Sequence, residues 1–365
     1  MPTHGKPTEP SLSIEALRVY REFADMPPVN PRDRERPIQG GWRDMAGLSA
    51  DVGYYGQWVW NEAFARVSHL YPKAKLPREQ AGVEATAVAW LWARTVKCPA
   101  CAANIPLVRS FWLARRRGSA TWLEPRGDEL SQCLWFEVVS GEPPSTQVPG
   151  ISAGARTLER SGTRATASFR CLACGEGAAG RHYVDREMSE GRAGYAPLAM
   201  VVDGPSGWTF AGFYGEQSDA ALGLADRWMS ERRAKAPSGH HIARQLAALA
   251  AFADVVGRAR PYIIHDMIDH YSTGSSSPYA TVERDTASYA DGVVEYLRLL
   301  VDTCAEGWST SAGCEPLRRS APGWHASRPS SKAQGFAEVN PFCEAPGSWA
   351  SQLRAVTRAI HSLPS

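Results

Sequence analysis

Cys98-Pro99-Ala100-Cys101 and Cys171-Leu172-Ala173-Cys174-Gly175 are two pairs of thiols, each pair separated by two residues. A Cys-x-x-Cys turn aims both sulfurs at one point, so two such turns can present four thiolates to one tetrahedral zinc ion. Gly175 stands where such a turn often needs a left-handed backbone, and Ala102 occupies the matching place after the first pair. The 69 residues between Cys101 and Cys171 far exceed the roughly 15 to 20 of a simple ribbon, so a shared ion requires an inserted subdomain. The spacing predicts a structural Zn2+ held by Cys98, Cys101, Cys171 and Cys174. Its alternative is two unrelated pairs of reduced core thiols, and Cys133 and His182 are spare ligands. Cys304, Cys314 and Cys343 have no site-like spacing and read as buried thiols.

A second chemical signal surrounds the first pair. From Ala85 through Leu123 there is no Asp or Glu, while Arg94, Lys97, Arg109, Arg115, Arg116 and Arg117 all fall there. Phe111, Trp112 and Trp122 are interleaved with them, and Arg156, Arg160, Arg164 and Arg170 precede the second pair. Guanidinium groups bind phosphate bidentately and aromatic faces stack on bases, so the combination suggests a nucleic-acid surface. The contact residues expected are Arg109, Trp112, Arg115, Arg116, Arg117, Arg164 and Arg170. The competing reading is a solvated basic edge strand with Trp112 and Trp122 in the core. His240-His241 lacks a partner carboxylate at metal-site spacing. His265 with Asp269, and Asp266 with His270, share helix faces and are weaker His/Asp candidates than an exposed helix end. No Gly-x-Gly-x-x-Gly, phosphate loop or Gly-x-Ser-x-Gly elbow occurs.

The whole chain must hold these residues in place. Its 365 residues suggest two domains with an ample core, and a formal net charge of +2 makes any nucleic-acid attraction local. Eight cysteines, four of them in pairs, favour metal thiolates in a reducing cytoplasm over a disulfide scaffold. Met1 to Pro10 carry no apolar core of a secretory signal, and no apolar run is long enough to span a membrane.

The periodicity predicts an α+β fold, with a zinc-ribbon-like β subdomain inserted between helical segments. Residues 1–13 read as a flexible tail, 14–97 as a helical N-terminal segment, 98–215 as the β subdomain and 216–365 as a helical C-terminal segment. Helices are expected from a Ser11 or Ser13 cap to Phe23, from Leu48 to Tyr71, and from Ser218 to Arg233. Others are expected over 241–270 with a break at Pro261, over Thr281–Cys304 and over Ser348–Leu363. Thr86–Val96 is apolar on every side and reads as helix or strand. Strands are expected at Ile105–Leu113, Thr121–Leu123, Cys133–Val139 and Ala165–Arg170, with a hairpin pairing Leu198–Val202 with Trp208–Phe213. Residues 145–163 and 307–333 read as loops.

Several runs are familiar as a set. Trp90-Leu91-Trp92-Ala93-Arg94-Thr95-Val96-Lys97-Cys98-Pro99, leading into Ile105 to Leu113, resembles the middle of a family of large bacterial and archaeal adenine-specific DNA methyltransferases with an embedded zinc ribbon. Pro27 to Pro31, Tyr54-Tyr55-Gly56, His69 to Pro72, Gly191 to Gly194, Arg244-Gln245-Leu246 and Phe336 to Phe342 also match, in order, from about residue 14 to the C-terminus. The resemblance implies DNA as partner, S-adenosylmethionine as methyl donor and the N6 amine of adenine as target. The family's glycine-rich donor loop and its Asp-Pro-Pro-Tyr motif, which holds the flipped base, are absent here. Ser277-Pro278-Tyr279 and Asn340-Pro341-Phe342 each lack the second proline.

The expectation is therefore the target-recognition and scaffold portion of a split or truncated enzyme from a restriction-modification setting. Such a portion is not catalytic alone, and S-adenosylmethionine binds only where a partner chain carrying the missing motifs supplies its site. A complete methyltransferase with an unrecognised site, and a structural partner-binding zinc protein, are the alternatives.

Overall fold

The computed structural model describes residues 24–36, 41–76, 84–108, 111–116, 119–127, 134–141, 169–174, 178–205, 207–213, 215–231, 241–272, 279–311 and 335–363. The helix expected to end at Phe23, Cys133, Cys314, His240 and most of the two loops lie outside these residues. The elements, in order, are α1 (Ala46–Val67), a 3-10 turn (Ser68–Leu70), β1 (Ala74–Lys75), β2 (Glu84–Lys97), β3 (Asn104–Pro106), β4 (Trp112–Arg116), β5 (Ser119–Gly127) and β6 (Leu134–Gly141). They continue as β7 (Phe169–Arg170), β8 (Ala178–Ala179), α2 (Arg181–Ser189), β9 (Gly194–Gly204), β10 (Gly207–Ala211) and α3 (Gly215–Glu231). Last come α4 (Ala243–Gly257), α5 (Ala259–Ser272), α6 (Tyr279–Gly307), β11 (Gly335–Val339) and α7 (Trp349–His361). The fold is α+β.

Two compact units divide the chain: Met1–Arg66 with Leu249–Cys304 and Trp349–Ser365, and Val67–Ala248 with Ala305–Ser348. The first is helical. Leu48, Val52, Tyr55, Val59 and Ala63 recur at three- and four-residue steps and are buried as one stripe of α1. Trp349 opens α7, stacks on Phe252 with centroids 4.4 Å apart, and donates its indole N–H to the Gly56 carbonyl at 2.9 Å. A side chain at Gly56 would meet Leu353 Cδ1 at 2.5 Å, so the glycine permits the close approach of α7. Asp51 is buried and accepts from the Val29 and Asn30 amides, Asn30 Nδ2 and the Tyr289 hydroxyl, at 2.5 to 2.9 Å. Burial pushes its carboxyl upward, and these four donors pull against that. The break within 241–272 falls at Arg258, before Pro261. Pro261 sits in the first turn of α5, where its missing N–H is no loss.

The second unit is built on β2, the longest strand at 14 residues. β9 pairs along one edge from Thr86↔Asp203 to Thr95↔Gly194. The other edge is filled in turn by β1, β11 and β3. Both faces of β2 are covered, which explains why its sequence shows no alternation. The segment expected to be helical over 14–97 therefore ends in a strand, and that expected over 216–365 contains β11. The hairpin of β9 and β10 forms as predicted, with Gly204↔Gly207 closing it. The strand predicted over Ile105–Leu113 is split, with β3 ending at Pro106, which has no N–H to extend a ladder. β4, β5 and β6 make a separate three-stranded sheet.

An ion pair lies inside this unit. Arg244 and Glu338 are 0% and 1% exposed and bond bidentately, Nε to Oε1 at 2.7 Å and Nη2 to Oε2 at 2.6 Å. Trp92 Nε1 donates to Glu338 Oε2 at 2.9 Å, and the Arg244 guanidinium lies 4.0 Å from the Trp90 ring centroid. Burial opposes the arginine charge, and the facing carboxylate more than restores it. Breaking such a pair leaves an uncompensated buried charge. Glu338→Ala is expected to lower unfolding stability by about 3–5 kcal/mol, read from urea denaturation, with partial recovery in an apolar double replacement of Arg244 and Glu338.

Candidate metal centre

β2 delivers the first thiol directly, since Cys98 follows its last residue. β3 returns antiparallel, with Thr95↔Pro106, Val96↔Ile105 and Lys97↔Asn104 in register. The loop between them is closed by Cys98 N to Ala103 O at 2.7 Å and Ala102 N to Cys98 O at 2.9 Å. Ala102 has a φ of +61°, the left-handed conformation that glycine takes at little cost. The second arm is shorter: β7 pairs with β8 through Phe169↔Ala179 and Arg170↔Ala178, and Cys171 to Cys174 turn directly after β7.

The arms bring the four sulfurs together. Cys98 Sγ lies 3.9 Å from Cys174 Sγ, Cys101 Sγ lies 3.7 Å from Cys171 Sγ, and all four sit within 4.8 Å of one another. A tetrahedron with Zn–S bonds of about 2.3 Å has edges of roughly 3.8 Å, so the donor set and spacing fit zinc. These separations are far beyond a disulfide's S–S bond of about 2.0 Å, and none of the four cysteines is in a disulfide. Burial pushes the Cys171 thiol up to about 12, against amide hydrogen bonds from Cys174 and Ala173. A dication reverses that logic by stabilising thiolates. The Ala100 amide also donates to Cys98 Sγ at 3.4 Å. Around the sulfurs lie Val96, Ile105, Leu107, Phe169, Ala179 and Val184, an apolar shell that keeps water from two of the four ligands. The Tyr183 hydroxyl ties α2 to the Lys97 carbonyl at 2.9 Å. Arg192 holds the buried Glu187 through Nη2 and Nε at 2.6 and 3.0 Å.

No family model, curated protein or solved structure matches this chain. The chemistry of the centre rests on its own geometry. Of the spare ligands, His182 is exposed on α2 and outside the four-sulfur set. Cys304 and Cys343 are buried thiols, as expected.

The proposed DNA contacts fare differently. Arg109, Arg117 and Arg164 lie outside the described residues. Arg115 and Arg116 fall on β4 and Arg170 on β7. The expectation that Trp112 lies open to stack on a base is corrected. It is 9% exposed and packs edge to face with Trp122, centroids 5.7 Å apart, because β4 and β5 pair them directly. Phe111 is likewise buried, against Phe136. On the same face of β5 and β6, Arg126 is held between Glu124 and Glu137 at 3.1 and 2.9 Å. Arg94 is half-buried, with Nη2 donating to the Thr310 carbonyl at 3.3 Å and the guanidinium over the Tyr195 ring.

The His/Asp candidates also resolve. His265 pairs with its neighbour Asp266 at 3.6 Å, Asp266 accepts from the Tyr55 hydroxyl at 2.9 Å, and Asp269 binds Arg34 at 2.9 Å. His241 Nε2 lies 3.2 Å from the Ala305 carbonyl. The Tyr55–Asp266, Arg34–Asp269 and His241–Ala305 contacts are tertiary, and among the described residues these groups form no metal cluster. The Arg244–Glu338 pair has no spacing signal, since its members lie 94 positions apart.

Elemental analysis of the purified protein is expected to find about one zinc per chain, lost in Cys98→Ser or Cys171→Ser, with the arms unfolding when the ion is chelated. Ala102→Gly relieves the left-handed alanine and is expected to strengthen metal retention in a chelator competition by about 1 kcal/mol. Unchanged retention would show that the loop carries no strain there.

Proposed function

We propose that this chain is a zinc-organised target-recognition and scaffold portion of an adenine-specific (N6) DNA methyltransferase, DNA-binding and not catalytic by itself. The observation that carries this reading is the meeting of four cysteine sulfurs from arms 69 residues apart, since the resembled family places a zinc ribbon at this point. A second observation supports it. Separate runs that carry the resemblance pack together in one unit: Trp90 and Trp92, Leu70 and Tyr71, Arg244, and Phe336 to Asn340. Tyr71 Oη donates to the Arg244 carbonyl at 3.0 Å, and Arg244 Nη1 to the Leu70 carbonyl at 3.4 Å. Asn340 donates through its backbone and side-chain nitrogens to Val88 O and Ala87 O at 2.9 and 2.7 Å, where the β2–β9 register slips.

On this reading the zinc arms and the arginine-bearing β4 hold DNA, and S-adenosylmethionine together with the Asp-Pro-Pro-Tyr chemistry comes from a partner chain. The zinc is structural: four protein sulfurs complete its coordination, so it presents no open position for a reacting group.

A structural, partner-binding zinc protein is the second reading. It is favoured by the burial of Trp112 and by the two carboxylates flanking Arg126 on the β5–β6 face. Duplex titrations separate the two. Recognition predicts non-specific binding with Kd of roughly 10⁻⁴–10⁻⁶ M at physiological salt, weakening steeply as salt rises. The triple change Arg115/Arg116/Arg117→Ala is expected to abolish it while zinc content stays intact. Absence of binding at low salt overturns the DNA reading and leaves the structural one.

A further inference from the structure

We infer that the four-cysteine centre is a peroxide-sensitive latch, in which oxidation releases the metal and cross-links the two arms to each other. The inference rests on the zinc reading above and adds to it a regulation of the same site.

The four ligands are not equivalent. Cys98 and Cys171 are 3% and 1% exposed, whereas Cys101 and Cys174 are only partly buried. Each arm thus offers one shielded sulfur and one that solvent reaches. Oxidants attack the accessible, thiolate-like sulfur first. Two cross-arm contacts each join an accessible sulfur to a shielded sulfur opposite, Cys101 to Cys171 at 3.7 Å and Cys174 to Cys98 at 3.9 Å. Cys98 and Cys171 are therefore placed as resolving thiols.

The chemistry balances with a peroxide as the oxidant. The Cys101 thiolate attacks the O–O bond, takes one oxygen as a sulfenic acid and releases hydroxide. The Cys171 thiolate then attacks that sulfur, forming the S–S bond and expelling the second hydroxide. Two electrons pass from the thiolate pair to the peroxide, and two protons convert both hydroxides to water. Cys174 and Cys98 react in the same way. Sulfurs consumed in disulfides no longer serve as thiolate ligands, so zinc leaves while the arms stay tied by covalent bonds. Thiol reductant with added zinc restores the starting state.

The test uses the full chain as purified. Zinc is first counted by elemental analysis. Hydrogen peroxide is then added while a chromogenic chelator follows free zinc, dimedone traps sulfenic acids, and peptide mass spectrometry under non-reducing conditions maps the bonds. The expected result is release of the bound zinc, first dimedone adducts at Cys101 or Cys174, and Cys98–Cys174 with Cys101–Cys171 disulfides, all reversed by reductant and zinc. Zinc retained at peroxide levels that oxidise free glutathione overturns the latch and leaves the structural zinc standing. Release with disulfides inside each arm, or first adducts at Cys98 or Cys171, also overturns it. A protein that contains no zinc before peroxide is added overturns the metal reading and the latch together.

Discussion

The buried pair of Arg244 and Glu338 is the contact on which the sheet-bearing unit depends. Two full charges sit where almost no water reaches, and each is answered by the other and by neighbouring polar groups. One charge comes from the first turn of α4, the other from β11, and the indole rings of β2 lie against both. Apolar packing would tolerate small slides of these elements past one another, whereas a bidentate pair does not. Its contribution is better understood as fixing one arrangement than as raising stability, because apolar replacements of similar volume often match or exceed a buried ion pair.

That arrangement places the metal arms. β2 is held on both edges along most of its length, so its last residue, Lys97, is not free to wander, and Cys98 inherits its position. The second arm has little sheet of its own, two residues against two. It is anchored through the apolar shell and through α2, which packs Val184 and Tyr183 beside the sulfurs. The division of labour is one rigid arm and one docked arm, and an ion that binds both arms welds them.

Much of this was legible beforehand, for identifiable reasons. The cysteine pairs declare themselves by spacing, since few other roles need two thiols two residues apart on each of two turns. Helices α1, α6 and α7 show their stripes, and the hairpin of β9 and β10 shows its glycines. β2 is ambiguous for a physical reason: a strand covered on both faces loses its alternation and reads like a buried helix. The aromatic residues around the first arm mislead because a basic, Trp-containing segment looks the same whether its rings face water or each other. Only pairing in register, Trp112 against Trp122, decides it. The ion pair is invisible because nothing local in sequence marks a contact between residues 94 positions apart.

The pairing of β11 with β2 has a consequence for how the molecule is made. Phe336 pairs with Trp92, so the middle of one edge of β2 stays unfilled until residues 335–339 have left the ribosome. At ordinary synthesis rates that delay is roughly 12 to 50 s. For that interval a tryptophan-rich segment with few charges presents open backbone groups to whatever is nearby, which is the composition of a sticky nascent strand. Cells making this protein therefore have reason to shield residues 84–97 with a chaperone until β11 arrives.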